Sequence, residues 1–213
     1  MADNYLGRKM EDYMSQPKTA STVHKSSAAL QRLLVKNRSH RGYDAGFKVR
    51  EDQLRKIIAV NTKIPSARNQ QVLRFRPVLA DEAHLVTENI RLGGALPQLH
   101  LPLPGTEPNA YIIICSTVEE SRYVDIDLGI SAQSMLLQAV EIGLNGICIC
   151  AFDKERIRRI FNLEYDPLMI VAIGRGSENI ELVEIEASHS HAYYRSDGKH
   201  YVPKVRLDDL IMK

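Results

Sequence analysis

Apolar residues fall at helical spacing in four stretches of the chain and in strand-like runs in five others. Ser26 or Ser27 as N-cap opens a helix over Ala28 to about Lys36, with Leu30, Leu33 and Leu34 on one face. A second helix runs from about Glu51 to Asn61. There Leu54, Ile57 and Ile58 share a face, Glu51 and Arg55 are spaced to pair, and Pro65 stops the run. From about Asp127 to Leu144 apolar residues leave so little polar surface that the helix they predict is buried nearly all round. Asp153 then caps KERIRRIF, with Ile157, Ile160 and Phe161 inward and the basic residues on a wet face. The strand-like runs are Val72–Leu79, Tyr111–Ser116, Gly146–Ala151, Leu168–Ile173 and Ile180–Ile185; the Gly/Pro-rich LGGALPQLHLPLPGTEP between the first two is loop or extended chain.

Helices first, then strands with helices between them, predict an α+β domain built on one sheet. A helix as apolar as Asp127–Leu144 is either the central core helix or half of a subunit interface. The chain has 213 residues, enough for one domain with extensions. Residues 1–25 are polar and end in a Ser/Thr/Pro-rich passage, so they are set apart as an N-terminal arm and 26–213 as the domain. Lys and Arg number 28 against 26 Asp and Glu, a net of +2, which excludes the strongly basic footprint of a dedicated nucleic-acid binder. Three cysteines make no disulfide framework and suit a reducing compartment. No apolar run is long enough to cross a bilayer, and the N-terminus does not read as a secretory signal, so a cytoplasmic location is expected.

Four segments carry candidate chemistry. In Asn37-Arg38-Ser39-His40-Arg41, two guanidinium forks and a hydroxyl can converge on one anion; the alternative is a solvated basic turn. Pro65-Ser66-Ala67-Arg68-Asn69-Gln70-Gln71 offers amides that donate and accept together, which suits a pyrimidine-type ring edge; ordinary turn chemistry is the alternative. In Gly143–Phe152 the small Cys150 and Ala151 at a strand end let backbone N–H groups approach a flat ligand. Alternation puts Cys148 and Cys150 on one strand face, and packed thiols are favoured over zinc because no further ligands stand at suitable spacing. Lys204 and Arg206, if extended, point the same way and can add charge to the site of Arg38 and Arg41; a solvated tail is the alternative, favoured on these residues alone. G-x-G-x-x-G, phosphate-loop and nucleophile-elbow signatures do not occur; Gly174-Arg175-Gly176 lacks the last glycine.

Taken in order, RSHRGYD, VREDQLRKIIAVNTKIPSARNQQVLRF, DIDLGISAQSMLLQAVEIGLNGICICAFD, IVAIGRGSE and VPKVRL resemble the FMN-dependent nitroreductase family from about Leu30 to Leu210. The resemblance implies an α+β sandwich whose central, mostly antiparallel sheet is flanked by helices, in a domain-swapped type of homodimer with FMN at the interface. It matches Arg38, Ser39 and Arg41 to phosphate and ribityl contacts and Lys204 and Arg206 to cations closing on the same phosphate. Pro65, Ser66, Asn69 and Gln71 match a loop reaching the flavin from the other subunit, and Cys150 and Ala151 a strand end facing flavin N5. Asn37 stands where many members carry a further basic residue, and the segment Ala80–Asn109 is short, leaving Leu96 or Pro97 near the ring.

The activity so implied passes hydride from NADH or NADPH through flavin N5 to an electron-poor small molecule, a nitroaromatic or quinone, by ping-pong turnover. The flavin carries the chemistry. No catalytic side chain is required beyond Arg41, a candidate stabiliser of charge at N1/O2. A different flavin reaction (flavin or enone reduction, dehalogenation), a non-catalytic flavin sensor and an RNA-binding use of KERIRRIF are the competing readings.

Overall fold

Every side chain of the strand Ala110–Ser116 is buried, and that settles how the domain is layered. An unbroken AYIIICS run has no polar face to give to water, so both sides of its sheet must be covered. The computed structural model describes residues 26–94 and 101–212; the N-terminal arm and Leu96 and Pro97 lie outside them. The helices are α1 (Ser26–Lys36), α2 (Glu51–Ile58), α3 (Ala83–Thr87), α4 (Arg122–Glu141), α5 (Lys154–Ile160) and α6 (Leu207–Leu210). The strands are β1 (Leu73–Val78), β2 (Ala110–Ser116), β3 (Asn145–Ile149), β4 (Asp166–Gly174), β5 (Asn179–Ile185), β6 (Tyr194–Ser196) and β7 (Lys199–Val205).

β1, β2, β4 and β3, in that spatial order, form a sheet in which every neighbouring pair is antiparallel. Strand alternation sorts its residues into two cores. Ala110, Ile112, Ile114, Val171 and Ile173 pack with Leu54 and Ile57 of α2 and with Val124, Met135 and Ala139 of α4. On the other face Tyr111, Ile113, Ile147, Ile149, Ile170 and Ala172 pack with Ala83 and Val86 of α3 and Ile157 of α5. This is an α+β sandwich with a central antiparallel sheet. A second sheet, ordered β5-β7-β6, corrects the expectation of one sheet: β5 and β7 pair in parallel and β6 turns back on β7. The sequence showed β5 but not its partners, because YYRSDGKHYVPKV is mostly polar and its strands are half exposed.

Helix ends moved for local reasons. α4 begins at Arg122 because the Ser121 side chain accepts from Val124 N–H, so the helix is 20 residues long and reaches back beyond Asp127. It ends at Glu141, and Gly143 follows at φ +78°, a left-handed exit that glycine adopts without strain. α2 stops at Ile58 and tightens into a 3₁₀ turn over Ala59–Thr62. Asp153 caps α5 as expected, accepting from Arg156 N–H at 2.9 Å. Among the described residues no helix is long and apolar enough to cross a membrane.

Gly146 marks where α4 sits tightest on the sheet: a Cβ there would lie 2.4 Å from Ala172 O and 2.6 Å from Leu136 Cδ2. Gly146→Ala is therefore expected to lower stability by about 1–3 kcal/mol, read as a lower urea midpoint at unchanged slope.

Candidate functional site

α1 ends at Lys36, and the chain then turns through Arg38–Arg41 against the first residues of β3, where Ser39 bridges to Gly146 and His40 N–H donates to Gly146 O at 3.2 Å. Neither guanidinium of the turn pairs with a carboxylate among the described residues. Arg38 Nη2 donates to Leu34 O at 2.8 Å and Arg41 Nη1 to Ser39 O at 3.2 Å, while the buried Nε of each has no partner. Burial pulls the Arg38 guanidinium below its ordinary value. Arg41 lies over the Tyr193 ring, 4.8 Å from its centre, and Tyr193 meets His200 edge-on. His40 and His200 are 6% and 3% exposed, each with an unpartnered Nδ1. Both are held below the usual imidazole range, by burial first; Glu178 pulls each back upward, Arg41 presses both down, and Arg38 adds to this at His40 and Arg195 at His200.

At the other end of α4, Pro65–Gln71 forms a strained loop. Arg68, Asn69 and Gln71 take φ of 52°, 53° and 47°, a left-handed region that side chains disfavour. What holds them there is Asp127, 4% exposed on α4: its carboxylate accepts from Ala67 N–H at 2.7 Å and from Gln70 Nε2 at 2.8 Å. One turn further, Ser131 Oγ donates to Asn61 Oδ1 at 2.6 Å. Ser66 Oγ accepts from Gln71 N–H, and Gln71 Nε2 donates to Asn69 Oδ1 at 3.0 Å, so Asn69 and Gln71 stand together, exposed. Pro65, Ser66 and Gln71 also border a cavity of about 810 Å³ whose walls include Ile58, Phe75 and Asp127.

Cys150 and Ala151 lie just past β3, beside a cavity of about 450 Å³ shared with Ile90, Arg91 and Phe152. Arg91 N–H donates to Ala151 O at 2.8 Å, which fixes the strand end. The thiols are unpaired: burial pushes Cys115 up to about 11, and although Cys148 reaches the surface, partial desolvation and the neighbouring Cys150 push it up to about 11 as well. Neither is a thiolate at neutral pH.

Within the chain the C-terminal cations stand apart from the turn. In the parallel β5–β7 register His200 is level with Ile180 and Lys204 with Glu184, so Lys204 stands about 13 Å further along the strand than the residue that meets the turn. Arg206 is committed to Glu186 at 2.9 Å and to Asp209 at 3.1 Å. The cation that the second sheet does bring to the turn is Arg195, which ion-pairs with Glu178.

Residues 101–175 match the sequence profile of the Nitroreductase family. A Methanocaldococcus jannaschii protein named as a nitroreductase is 35% identical over 57 residues, which are 27% of this chain and 29% of that one, so the chain's match spans under a third of that relative. A Clostridium difficile nitroreductase family protein superimposes with a TM-score of 0.54 at 25% identity, over 68% of this chain and 83% of that one. One from Streptococcus pneumoniae gives 0.61 at 17%, over 86% and 99%. The Mycobacterium smegmatis FMN-dependent nitroreductase, solved with NADPH, gives 0.58 at 17%, over 71% and 89%.

Residues 101–175 thus resemble the Nitroreductase family, and the chain has the fold of nitroreductase structures. Within this fold the arginine turn and the amide loop both precede the matched residues 101–175, so their candidacy rests on geometry. Asp127, Glu178, Arg195 and His200 were not among the residues singled out from the sequence. For Asp127 a signal existed: Asp127 and Ser131, four apart, are the polar interruptions on the buried side of an apolar helix.

Two outcomes follow for the buried groups of the site. Asp127→Ala strips two charge-assisted hydrogen bonds from a strained loop, and a loss of about 2–4 kcal/mol in denaturant unfolding is expected, with faster amide exchange at Ala67. His40 and His200 have folded pKa values below the ordinary imidazole value, so the unfolded chain binds more protons as acid is added. Their contribution is nil above about pH 6.5 and turns destabilising below it. The urea midpoint should fall between about pH 6.5 and 5, and fall less in His200→Asn.

Proposed function

We propose that the protein is an FMN-dependent oxidoreductase that passes hydride from NADH or NADPH to an electron-poor small molecule, a nitroaromatic or quinone, by ping-pong turnover. The observation that carries this reading is the charge at the Arg38–Arg41 turn. Arg195 takes the carboxylate of Glu178, whereas the Arg38 and Arg41 guanidiniums have no carboxylate partner among the described residues, and their Nε–H groups are buried and unpartnered. A phosphate monoester carries close to two negative charges and offers acceptors for forked donors. The FMN phosphate fits that donor set, with Arg38, Ser39 and Arg41 holding it.

β3 runs from this turn to Cys150 and Ala151, about 13 Å from Gly146 to Cys150. An elongated cofactor with its charged end on the turn has its flat end at the small residues of the strand terminus. Arg41 then serves the phosphate and is too far along the strand to stabilise charge at the ring as well. When bound, FMN supplies the hydride chemistry itself; the protein binds, orients and excludes water.

The Pro65–Gln71 loop contributes from a second copy of the chain. Asp127, which holds the loop, and Val140, beside Arg38, are separated by about 20 Å of α4, so one cofactor cannot touch both from a single chain. The outer face of α4 exposes Tyr123 and Ile126 at 49% and 46%, an apolar surface suited to a homodimer. Pro65, Ser66, Asn69 and Gln71 then meet the ring edge with paired donors and acceptors. The relatives named as FMN-dependent and solved with NADPH support the same cofactor pair.

The test is spectroscopic and kinetic. Purified protein incubated with FMN is expected to turn yellow, sediment as a dimer, and oxidise NADH or NADPH with nitroaromatic or quinone acceptors along parallel initial-rate lines. Arg38→Ala and Arg41→Ala should each weaken FMN binding by about 1.5–3 kcal/mol, on the order of 10- to 100-fold in Kd. A protein that stays colourless in excess FMN ends this reading.

A further inference from the structure

The Gly174–Glu178 segment, which matched no nucleotide-binding signature, is the surface on which the anion turn is built. Tyr43 bridges to Gly176, Asp44 N–H donates to Arg175 O at 2.8 Å, and Ser177 N–H donates to Gly42 O at 3.1 Å. A Cβ on Gly174 would lie 2.6 Å from the Tyr43 ring, and one on Gly176 2.2 Å from His40 Nδ1. Both glycines therefore permit rings to lie on backbone. Asn145 Oδ1 accepts from Gly176 N–H at 3.0 Å and fixes the segment from the other side.

This zipper delivers Glu178 beneath the turn with its side chain only 10% exposed. One oxygen, Oε2, accepts the N–H groups of both Arg41 and Gly42; the other, Oε1, takes Arg195 Nη2 from β6. A carboxylate so desolvated persists only where its lone pairs meet donors, and here the donors come from two parts of the chain far apart in sequence. We propose that Glu178 is a positioning residue for the turn and, through Arg195, the clasp that couples the turn to the β6–β7 hairpin. By occupying both turn N–H groups, it leaves anion binding to the Arg38 and Arg41 guanidiniums. By holding Arg195, it keeps Tyr193 under Arg41. An anion on the turn and a docked hairpin then favour each other by the same factor. The flavin arm of this inference rests on the cofactor reading above; the clasp does not.

Because the two oxygens do separate jobs, substitutions can split them. Glu178→Gln keeps one oxygen for the turn N–H groups but turns an amide N–H₂ toward Arg195. Arg195→Gln breaks the same half from the other side, and Glu178→Ala breaks both. Amide exchange of the flavin-free protein should show Glu178→Ala at least tenfold faster at both residues 41–43 and 194–200. The two Gln variants should be faster at 194–200 alone. In the unsubstituted protein, saturating FMN or inorganic phosphate should slow exchange at 194–200, and should not do so in Glu178→Gln. FMN affinity supplies a test of sign. A carboxylate that merely repels phosphate would, on removal, give tighter binding, whereas a positioning role predicts at least tenfold weaker binding for Glu178→Ala and recovery to within threefold in Glu178→Gln. Unchanged exchange in Glu178→Ala, or FMN binding as tight as in the parent, overturns the proposal. A parent protein that binds no FMN refutes the flavin reading, and the exchange pattern of the flavin-free variants still decides the clasp.

Discussion

Because β2 has no residue that water can reach, helices have to close both faces of the sheet, and that requirement places every other element. α4 lies across one face with Val124, Met135 and Ala139 against Ile112, Ile114 and Val171, while α3 and α5 cover the other. Once α4 is fixed, its two ends define where the two candidate segments stand: the loop held by Asp127 near its start, the arginine turn near its end. Gly146 lets the helix come down onto the sheet at the same point where Ser39 joins β3, so the packing of the core and the placing of the turn are one event.

Buried Asp127 and largely covered Glu178 do parallel work. Asp127 accepts a backbone N–H and a side-chain amide to hold three residues in left-handed conformations, and Glu178 accepts two backbone N–H groups to hold the arginine turn. In each case the remaining groups, Asn69 with Gln71 or Arg38 with Arg41, have no carboxylate partner among the described residues. A segment held from beneath by a desolvated charge has lost its alternatives before a ligand arrives, and preorganisation of that kind lowers the ordering cost of binding. Glu178 and Asp127 differ in reach: Asp127 acts within one neighbourhood of the sheet, whereas Glu178 also engages the second sheet through Arg195.

Fold and function stand on different ground. Similarity to nitroreductase structures over two thirds or more of the chain fixes the architecture, but a fold of this type can host several flavin reactions. In the proposed function the cofactor phosphate is assigned to the Arg38–Arg41 turn, outside the residues that match the family, and the flat end of the cofactor to the strand terminus at Cys150 and Ala151, beside a small cavity lined by Arg91 and Phe152.

Much of this was legible in the residues alone. The apolar runs located all four strands of the main sheet and β5 beside them, Asp153 announced α5, and the spacing of Arg38 with Arg41 and of Asn69 with Gln71 singled out the two candidate segments. These are local properties, because period, caps and residue chemistry act over a few neighbours. Tertiary structure alone decided that β7 runs parallel to β5 in a register that sends Lys204 and Arg206 away from the turn and brings His200 and Arg195 to it. It alone decided that Asp127 and Glu178 are buried beneath loops rather than lying on a wet surface. A strand's partner and a carboxylate's donors come from residues distant in the chain, and no local pattern records which distant groups will be adjacent after folding.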